Sequence, residues 1–421
     1  MPPVRLSKFE FVALIAAVQA VDVLAVDVML PALPQIGAAF SVLRENDRPL
    51  VITVFLLGFG LPQIVFGPLI DRFGRRLPIL LGLGLYILCV FGALAAGSFV
   101  GLLAFRFIQG IGAAAVRVAI GATVRDLYSG EEMAKISSLV LAIFLLVPIL
   151  MPSIGQLILL VASWQAIFIA MGGIAFALVA WTYFRLRETQ APADRRPLTF
   201  KGIAESFALV LGNRRAFFYG ISGMFLYAVV LGLVINTSQQ ILVGVYGLGV
   251  YYPFALGLVA AVAAVSSLTV SRFIGRLGLQ RGAHLACVVL LTISIGATAV
   301  SATVGLPLWG YLLFACLVPP ALVTGFTTTG ALSMQPLGEV AGTASAVFGM
   351  LNVVGGAVLG YLIGQAFTGS VTPVLAGLAL MAACALGCSL IAGRDDCLRA
   401  INQPKGKPLL QPLGSWPAVT E

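Results

Sequence analysis

Four charged residues interrupt otherwise apolar stretches of the first third of the chain, and their side chains could do chemistry. Asp22 and Asp27 lie in the first apolar stretch, and Arg106 and Arg117 lie in the fourth. A carboxyl group in an apolar cavity can exchange a proton near neutral pH, because burial and neighbouring charges change its pKa. A charged side chain at the centre of a bilayer costs at least about 2.5–3.5 kcal/mol on insertion scales, so residues kept there are candidates for function.

The spacing of these residues predicts their relative orientation. Asp22 and Asp27 project about 140° from each other on a helix, so we expect them to have different environments. Arg106 and Arg117 return to within about 20° of one face and lie about 16 Å apart along the helix, and we expect that face to line a central cavity. Three alternatives remain open. Arg106 could extend to a membrane interface, Arg117 could pair structurally with a carboxylate of the first stretch, and Asp27 could have a purely structural partner.

The elements that position these residues are predicted to be membrane-spanning helices. Of the 421 residues, 60% are hydrophobic and only 10% are charged, whereas a soluble domain carries about 25% charged residues. Continuous apolar runs of about 20 residues favour helices over a β-barrel. Twelve spans are predicted, at residues 10–33, 50–70, 78–97, 100–124, 136–160, 164–184, 216–240, 252–271, 284–302, 308–330, 341–366 and 372–392.

The longest polar connection divides the spans into two groups of six. We therefore predict an all-α integral membrane protein with a first bundle at 1–184, a central linker at 185–215, a second bundle at 216–392 and a tail at 393–421. Part of the linker, around 200–211, could form an amphipathic helix at the membrane surface. Of the 25 Lys and Arg residues, 21 lie on the side that holds both termini and only Arg44 and Arg48 lie in loops on the other. This asymmetry predicts that both termini are cytoplasmic.

The sharpest motif lies between the second and third spans and reads GPLIDRFGRR, from Gly67 to Arg76. Its spacing closely resembles the signature loop of the major facilitator superfamily. The resemblance implies two six-helix bundles and a charge network at the helix ends that controls the conformational transition. It assigns this gating role to the following residues: Gly67, Asp71, Arg72, Gly74, Arg75 and Arg76. The equivalent segment of the second half, SRFIGR at 271–276, is a degenerate copy without the acid.

Two other strings resemble motifs of drug:proton antiporters in this superfamily. The segment DVMLPALP, which begins at Asp27, resembles the first helix of Bcr/CflA-type multidrug exporters, and RFIQGIGAA, which begins at Arg106, resembles the fourth-helix motif. The resemblance implies that Asp27 and Arg106 take part in proton coupling, and we include Asp22 because it lies deeper in the same span. Whether Asp22 or Asp27 carries the proton remains open.

The fifth span partly resembles the fifth-helix motif of antiporters. Pro152 and Gly155 match that motif and would contribute to gating, whereas Met151 and Gln156 replace its glycines. A proline-kinked helix packed by small residues would explain the segment equally well.

The second half of the chain has no acid or base clearly inside a span, so we expect it to supply a mainly apolar substrate wall. Such a wall suits lipophilic compounds better than sugars, which need many hydrogen-bonding partners. The candidate residues for the substrate cavity are Arg117, Gln19, Phe225, Tyr227, Asn236, Phe348 and Asn352.

These observations predict a proton-coupled exporter of small amphipathic or lipophilic compounds such as antibiotics, acting by alternating access. An exporter of a nucleoside, sugar or amino acid, or a non-transporting receptor on the same scaffold, remains open. We expect no enzyme activity, no cofactor other than the proton as coupling ion, and no metal, since the cysteines form no CxxC pair and His284 is the single histidine. The expected partners are a small-molecule substrate and the lipid bilayer, without nucleic acid. We expect a monomer in the bacterial inner membrane.

Overall fold

The computed structural model of the chain describes residues 7–190 and 207–402, and they form an all-helical protein. Six helices make up the amino-terminal half. The first and second are interrupted, α2 by a bend of 47°. The bounds are α1, Lys8–Gln19, Val21–Asp27 and Leu33–Ala39; α2, Leu50–Gly60 and Gln63–Phe73; α3, Arg76–Leu94; α4, Phe99–Leu127; α5, Gly130–Val161; and α6, Trp164–Arg185.

Six further helices make up the carboxy-terminal half. Two of them contain π-helical segments, in which the backbone bonds skip one more residue than in an α-helix. The bounds are α7, Arg214–Val230 with π segments Leu231–Asn236 and Gln240–Val245; α8, Tyr252–Leu277; α9, Leu279–Thr303; α10, Leu308–Met334; α11, Ala341–Met350, Leu351–Gly355 (π) and Gly356–Gln365; and α12, Thr372–Asn402.

The predicted fold class is confirmed. Among the described residues, eleven helices are long and apolar enough to cross a membrane, and the bent α2 makes the twelfth. Many outward-facing apolar side chains are exposed, as lipid contact requires: Leu88, Phe91 and Leu268 are 69%, 64% and 74% exposed. Most of the predicted linker, including most of the possible amphipathic helix, falls outside the described residues.

Two helices differ in detail from the sequence prediction. The apolar span of α12 ends at Arg394, close to the predicted boundary at 392, but the helix itself continues to Asn402, because no proline interrupts it before Pro404. The predicted span 50–70 is bent near its middle because Pro62 lacks the N–H that would bond the carbonyl of Gly58.

Close helix contacts in the amino-terminal half depend on glycine. A Cβ on Gly58 of α2 would lie 2.0 Å from the carbonyl oxygen of Phe107, and a Cβ on Gly110 of α4 would lie 2.2 Å from that of Phe55. These two glycines therefore allow α2 and α4 to pack backbone against backbone. The contact places the start of α4 beside the interrupted helices α1 and α2.

The two halves meet along α2 with α11 and along α5 with α8. We call the end of the molecule with the loop between α2 and α3 the arginine-rich end, and the other the opposite end. Within residues 7–190 and 207–402, one cavity lies centrally between the halves and another lies between them at the arginine-rich end.

Candidate functional site

The central cavity has a volume of about 390 Å³ and is bounded by both halves. The amino-terminal half contributes Asp22, Val23, Val26, Asp27, Leu30, Phe55, Leu56, Phe59, Phe144, Pro148 and Pro152. The carboxy-terminal half contributes Tyr227, Val230, Leu231, Leu233, Val234, Ile235, Leu256, Val259, Ala260, Ala263, Val318, Pro319, Leu322, Val323 and Phe326. The predicted apolar wall is confirmed, and the charged side chains that line the cavity are two carboxylates of α1.

Asp22 is the carboxylate of this cavity that has a positively charged partner. Its Oδ1 accepts a hydrogen bond of 2.8 Å from the backbone N–H of Val23, and Arg117 Nη1 lies 3.6 Å from its Oδ2. The guanidinium of Arg117 lies over the ring of Phe144, 5.1 Å from its centroid. Arg117 therefore does pair with a carboxylate of the first span.

Asp27 is the unpaired carboxylate. Its residue is 7% exposed, and within the described ranges 7–190 and 207–402 its carboxylate has no hydrogen bond or ion pair. The local backbone explains its position, because Pro31 cannot donate to the Asp27 carbonyl four residues earlier and the helix ends at Asp27. The expectation that Asp22 and Asp27 have separate environments is wrong in one respect. The cavity is wide enough to reach both, and they differ in their partners instead.

Arg106 lies behind the cavity wall and does not line it. Its side chain is fully buried, with Nε donating to Val51 O at 3.0 Å, Nη1 to Gln109 Oε1 at 2.8 Å and Nη2 to Ala25 O at 2.8 Å. Its guanidinium also lies 4.5 Å from the ring centroid of Phe55. The predicted cavity-facing arginine stripe is therefore wrong for Arg106, and so is extension to the membrane surface, because α1 and α2 cover that face of α4.

The second cavity, which we call the vestibule, has a volume of about 580 Å³ at the arginine-rich end. Its walls are α2, α4 and α11, and both Gly67 and Asp71 line it. Arg117 also lines the vestibule, although its ion-pair partner Asp22 lines the central cavity. The Arg117–Asp22 pair therefore stands between the two cavities, and Arg117 is absent from the wall of the central one.

Arg75 holds the signature loop to the end of α4 and to Glu188, which follows α6. Arg75 donates from Nη1 to Asp71 Oδ1 and from Nε to Asp126 Oδ2, both at 2.8 Å. Its backbone N–H bonds Glu188 Oε1 at 2.8 Å. Gly74 has a φ of 91°, and a Cβ there would lie 2.4 Å from Glu188 Oε2, so glycine is required.

The other two loop arginines have different contacts. Arg72 lies over the ring of Phe73, 5.6 Å from its centroid, and Arg76 donates to the carbonyl of Tyr183. The structure thus brings together Asp71 and Arg75 of the predicted network. It adds Asp126 and Glu188, whose only signal in the sequence was their position on the arginine-rich side.

The remaining candidates separate into residues that line the central cavity and residues that do not. Tyr227 and Pro152 line it. Gly155 packs against α1 instead, where a Cβ would lie 2.2 Å from Val28 O. The other proposed cavity residues are absent from its wall and are Gln19, Phe225, Asn236, Phe348 and Asn352.

Packing within the carboxy-terminal half explains two of these exceptions. Phe348 and Asn352 of α11 face Gly220 and Gly223 of α7, at the distances where a glycine Cβ would contact their side chains. Asn236 instead joins the halves. It donates to Leu231 O at 2.9 Å and accepts from Thr53 Oγ1 at 3.3 Å.

A group of polar residues, which we call the latch, joins the two halves at the opposite end. Asn46 accepts from Gln240 at 3.0 Å through its side chain and from Gln365 at 2.9 Å through its carbonyl. Asp47 Oδ1 accepts from the Tyr361 hydroxyl at 2.9 Å. The latch therefore comprises Asn46, Asp47, Gln240, Tyr361 and Gln365. Sequence reasoning missed it, because it is formed by a loop and by helix ends that are distant in the chain.

Comparison with known proteins decides the family of this fold. Residues 15–360 match the Major Facilitator Superfamily. The chain belongs to this superfamily. The family predicted from the signature loop is confirmed, and the protein is an integral membrane transporter with a small-molecule substrate rather than an enzyme.

Relatives within the Major Facilitator Superfamily carry names of resistance proteins. A bicyclomycin resistance protein homolog from Haemophilus influenzae is 26% identical over 374 residues, covering 88% of this chain and 92% of the relative. A chloramphenicol resistance protein from Pseudomonas aeruginosa is 29% identical over 366 residues, covering 80% and 78%. Multidrug resistance protein MdtL from Escherichia coli is 29% identical over 332 residues, covering 78% and 82%.

Solved structures of the superfamily share the fold at low sequence identity. A D-xylose-proton symporter superposes with a TM-score of 0.72 at 13% identity, covering 92% of this chain and 97% of the symporter. A peptide transporter POT in complex with sulfate superposes with a TM-score of 0.73 at 12% identity, covering 93% and 94%. At such identities the likeness concerns the fold alone.

Proposed function

We propose that this protein is a proton-coupled antiporter that exports small lipophilic or amphipathic compounds from the cytoplasm. The observation that carries the proposal is Asp27, the one unpaired carboxylate on the wall of the central cavity as described. The wall that faces it from the carboxy-terminal half is apolar apart from the hydroxyl of Tyr227. The names of the relatives from Haemophilus influenzae, Pseudomonas aeruginosa and Escherichia coli support drugs as the substrate class.

The chemistry of a buried carboxylate supports exchange between a proton and a substrate. An ionised carboxylate without a partner is costly in an apolar cavity. Either a proton or a polar or cationic group of the substrate removes that cost, so the two compete for Asp27. Competition at one site is sufficient to couple proton entry to substrate release.

The apolar wall also disfavours the metabolite alternatives. A sugar or nucleoside presents many hydroxyl groups that lose their water on binding and need replacement partners. The carboxy-terminal wall offers side chains such as Leu231, Val234 and Phe326 instead. Lipophilic compounds fit this surface, since they gain by leaving water.

Alternating access follows from the two ends of the molecule. We assign the arginine-rich end to the cytoplasm because Lys and Arg favour that side. The vestibule then faces the cytoplasm, and the latch closes the extracellular end. Export requires the latch to open while the helix ends around the vestibule close. We infer a monomer in the bacterial inner membrane, with both termini in the cytoplasm.

The test is Asp27→Asn in proteoliposomes with an imposed pH gradient and chloramphenicol as cargo. We expect uphill transport to be lost, because the amide of asparagine cannot exchange a proton and the imposed pH gradient then has no site at which to act. Thermal melting should remain close to that of the wild type. Asp27→Glu is the matched control, because it keeps a carboxyl group and should retain part of the coupling. Undiminished uphill transport by Asp27→Asn would exclude Asp27 from coupling.

A further inference from the structure

The central cavity contains two carboxylates, but only one of them presents an uncompensated charge. We propose that Arg117 is a specificity-determining residue that neutralises Asp22 and leaves Asp27 as the single free negative charge. The cavity then accepts lipophilic monovalent cations and rejects divalent ones, because their second charge would be buried without a partner. This inference rests on the proposed export function and adds the charge class of its substrates.

The position of Arg117 allows it to offset the charge of Asp22 without lining the central cavity itself. Its Nη1 lies 3.6 Å from Asp22 Oδ2, and that nitrogen is buried without a hydrogen bond. The interaction is therefore mainly electrostatic. The Arg117 side chain is 37% exposed, toward the vestibule, whereas the Asp22 side chain is 12% exposed and lines the central cavity. Loss of the Arg117 charge would leave a second bare carboxylate facing the substrate.

The aromatic residues around the cavity favour binding of one cation against the carboxy-terminal wall. Phe55 and Phe144 already have an arginine guanidinium over their rings, at 4.5 Å and 5.1 Å. Tyr227 and Phe326 pack edge to face with centroids 5.9 Å apart and line the opposite wall. A lipophilic monovalent cation would contact this pair through its apolar groups and rings, with Asp27 supplying the opposite charge.

Coulomb's law gives the size of the expected effect. One additional negative charge at about 8–10 Å, in a medium of effective dielectric constant about 20, strengthens binding of a monovalent cation about 15- to 30-fold. For a divalent cation the same factor applies twice. Removing the Arg117 charge should therefore shift the ratio of divalent to monovalent affinity by about 15- to 30-fold.

The experiment measures binding of two probes to the purified full-length protein by titration calorimetry. The probes are tetraphenylphosphonium, a lipophilic monovalent cation, and benzyl viologen, a lipophilic divalent cation. We expect the wild type to prefer tetraphenylphosphonium at least about 10-fold, because the second charge of benzyl viologen loses its water without gaining a partner. We expect Arg117→Gln to shift the ratio toward benzyl viologen by about 15- to 30-fold. Failure of the wild type to bind tetraphenylphosphonium, or an unchanged ratio in folded Arg117→Gln, would overturn the proposal.

Two further variants separate charge from structure. Asp22→Asn combined with Arg117→Gln restores a single free carboxylate, so its ratio should return to that of the wild type. Arg125→Gln is the matched control, because Arg125 is an exposed arginine that also lines the vestibule but lies about 12 Å further along α4 from Arg117. It should change the ratio less than about threefold.

If Arg117→Gln does not fold, the comparison between Asp22→Asn and the double variant tests the same charge. Asp22→Asn alone leaves Arg117 opposed to Asp27, so the double variant should bind tetraphenylphosphonium about 15- to 30-fold more tightly than Asp22→Asn. Equal affinities would overturn the inference. The outcome is separate from the test of export, which uses neutral chloramphenicol and a pH gradient.

Discussion

The two halves of this transporter contribute different kinds of side chain to the central cavity. The amino-terminal half places four charged side chains inside the apolar, membrane-spanning parts of its helices, and two of them reach the cavity wall as carboxylates. The carboxy-terminal wall is apolar, and part of it is the π-helical segment Leu231–Asn236. The charged groups and the apolar binding surface therefore lie on opposite sides of the cavity. Buried charges need neighbours that hold them in place, whereas an apolar wall can change shape at little electrostatic cost.

Each charge in the amino-terminal half has a distinct arrangement. Arg106 is satisfied by two backbone carbonyls and Gln109, and Asp22 is opposed by Arg117. Asp27 alone among these four has no partner within the described parts of the chain. We expect the first three to maintain the half, and Asp27 to respond to the proton and substrate.

We expect Arg106→Ala to cause the largest loss of stability in the amino-terminal half. Removal of the guanidinium leaves the carbonyls of Ala25 and Val51 and the Gln109 side chain without their donor. Each loss costs about 1–3 kcal/mol, so the free energy of unfolding should fall by at least about 3 kcal/mol. Thermal unfolding in detergent measures this loss, and Arg125→Ala on the exposed surface of α4 should change it by less than about 0.5 kcal/mol.

This variant also distinguishes two roles for Arg106. The motif resemblance implies proton transfer, whereas the contacts of its side chain indicate that it holds α1 and α2 to α4. A variant that melts like the wild type but loses coupling would favour proton transfer and contradict the structural role.

A smaller effect tests the apolar wall. Leu322 of α10 is buried at the central cavity, and Leu317 of the same helix is 47% exposed away from it. Leu322→Ala should weaken binding of lipophilic compounds about 10-fold, because roughly 1–2 kcal/mol of apolar contact is lost, without changing the pH dependence of transport. Leu317→Ala should leave affinity within about twofold of the wild type. A changed pH dependence in Leu322→Ala would show that this wall takes part in coupling.

The smallest effect tests how the halves are joined at the opposite end. Tyr361→Phe removes the hydrogen bond to Asp47 across the halves, whereas Tyr246→Phe removes one of 2.7 Å to Leu306 O within the carboxy-terminal half. Loss of the Tyr361–Asp47 hydrogen bond should destabilise the closed state by about 1 kcal/mol. The fraction of molecules that are open at this end should then rise about fivefold.

Spin labels can report this shift. Positions 43 and 304, occupied by Leu43 and Val304, are 99% and 82% exposed in loops of different halves. In a cysteine-free background, labels at these positions should show more long distances in Tyr361→Phe and an unchanged distribution in Tyr246→Phe. Equal distributions in both variants would remove the latch from the closing mechanism.

Much of the fold followed from local sequence, and much of the site did not. Apolar runs predicted the spans, and the loop from Gly67 to Arg76 predicted a network that includes Asp71 and Arg75. The apolar carboxy-terminal wall was predictable because no charged residue interrupts its spans. The candidates Phe348 and Asn352 failed because polarity and size do not reveal which face of a helix meets the cavity. The partners Asp126 and Glu188 were missed because they approach the loop only after α4 and α6 have packed.

The order of residues alone predicted which segments are apolar enough to cross the membrane and which of them carry charge. These properties follow from hydrophobicity and loop composition, which act locally along the chain. Helix packing was needed to show that Arg106 is enclosed, that Arg117 opposes Asp22 and that Asp27 has no partner within the described residues. Helical periodicity predicts the angle at which a side chain leaves its helix, but the neighbour that covers that angle is set by how the other helices pack.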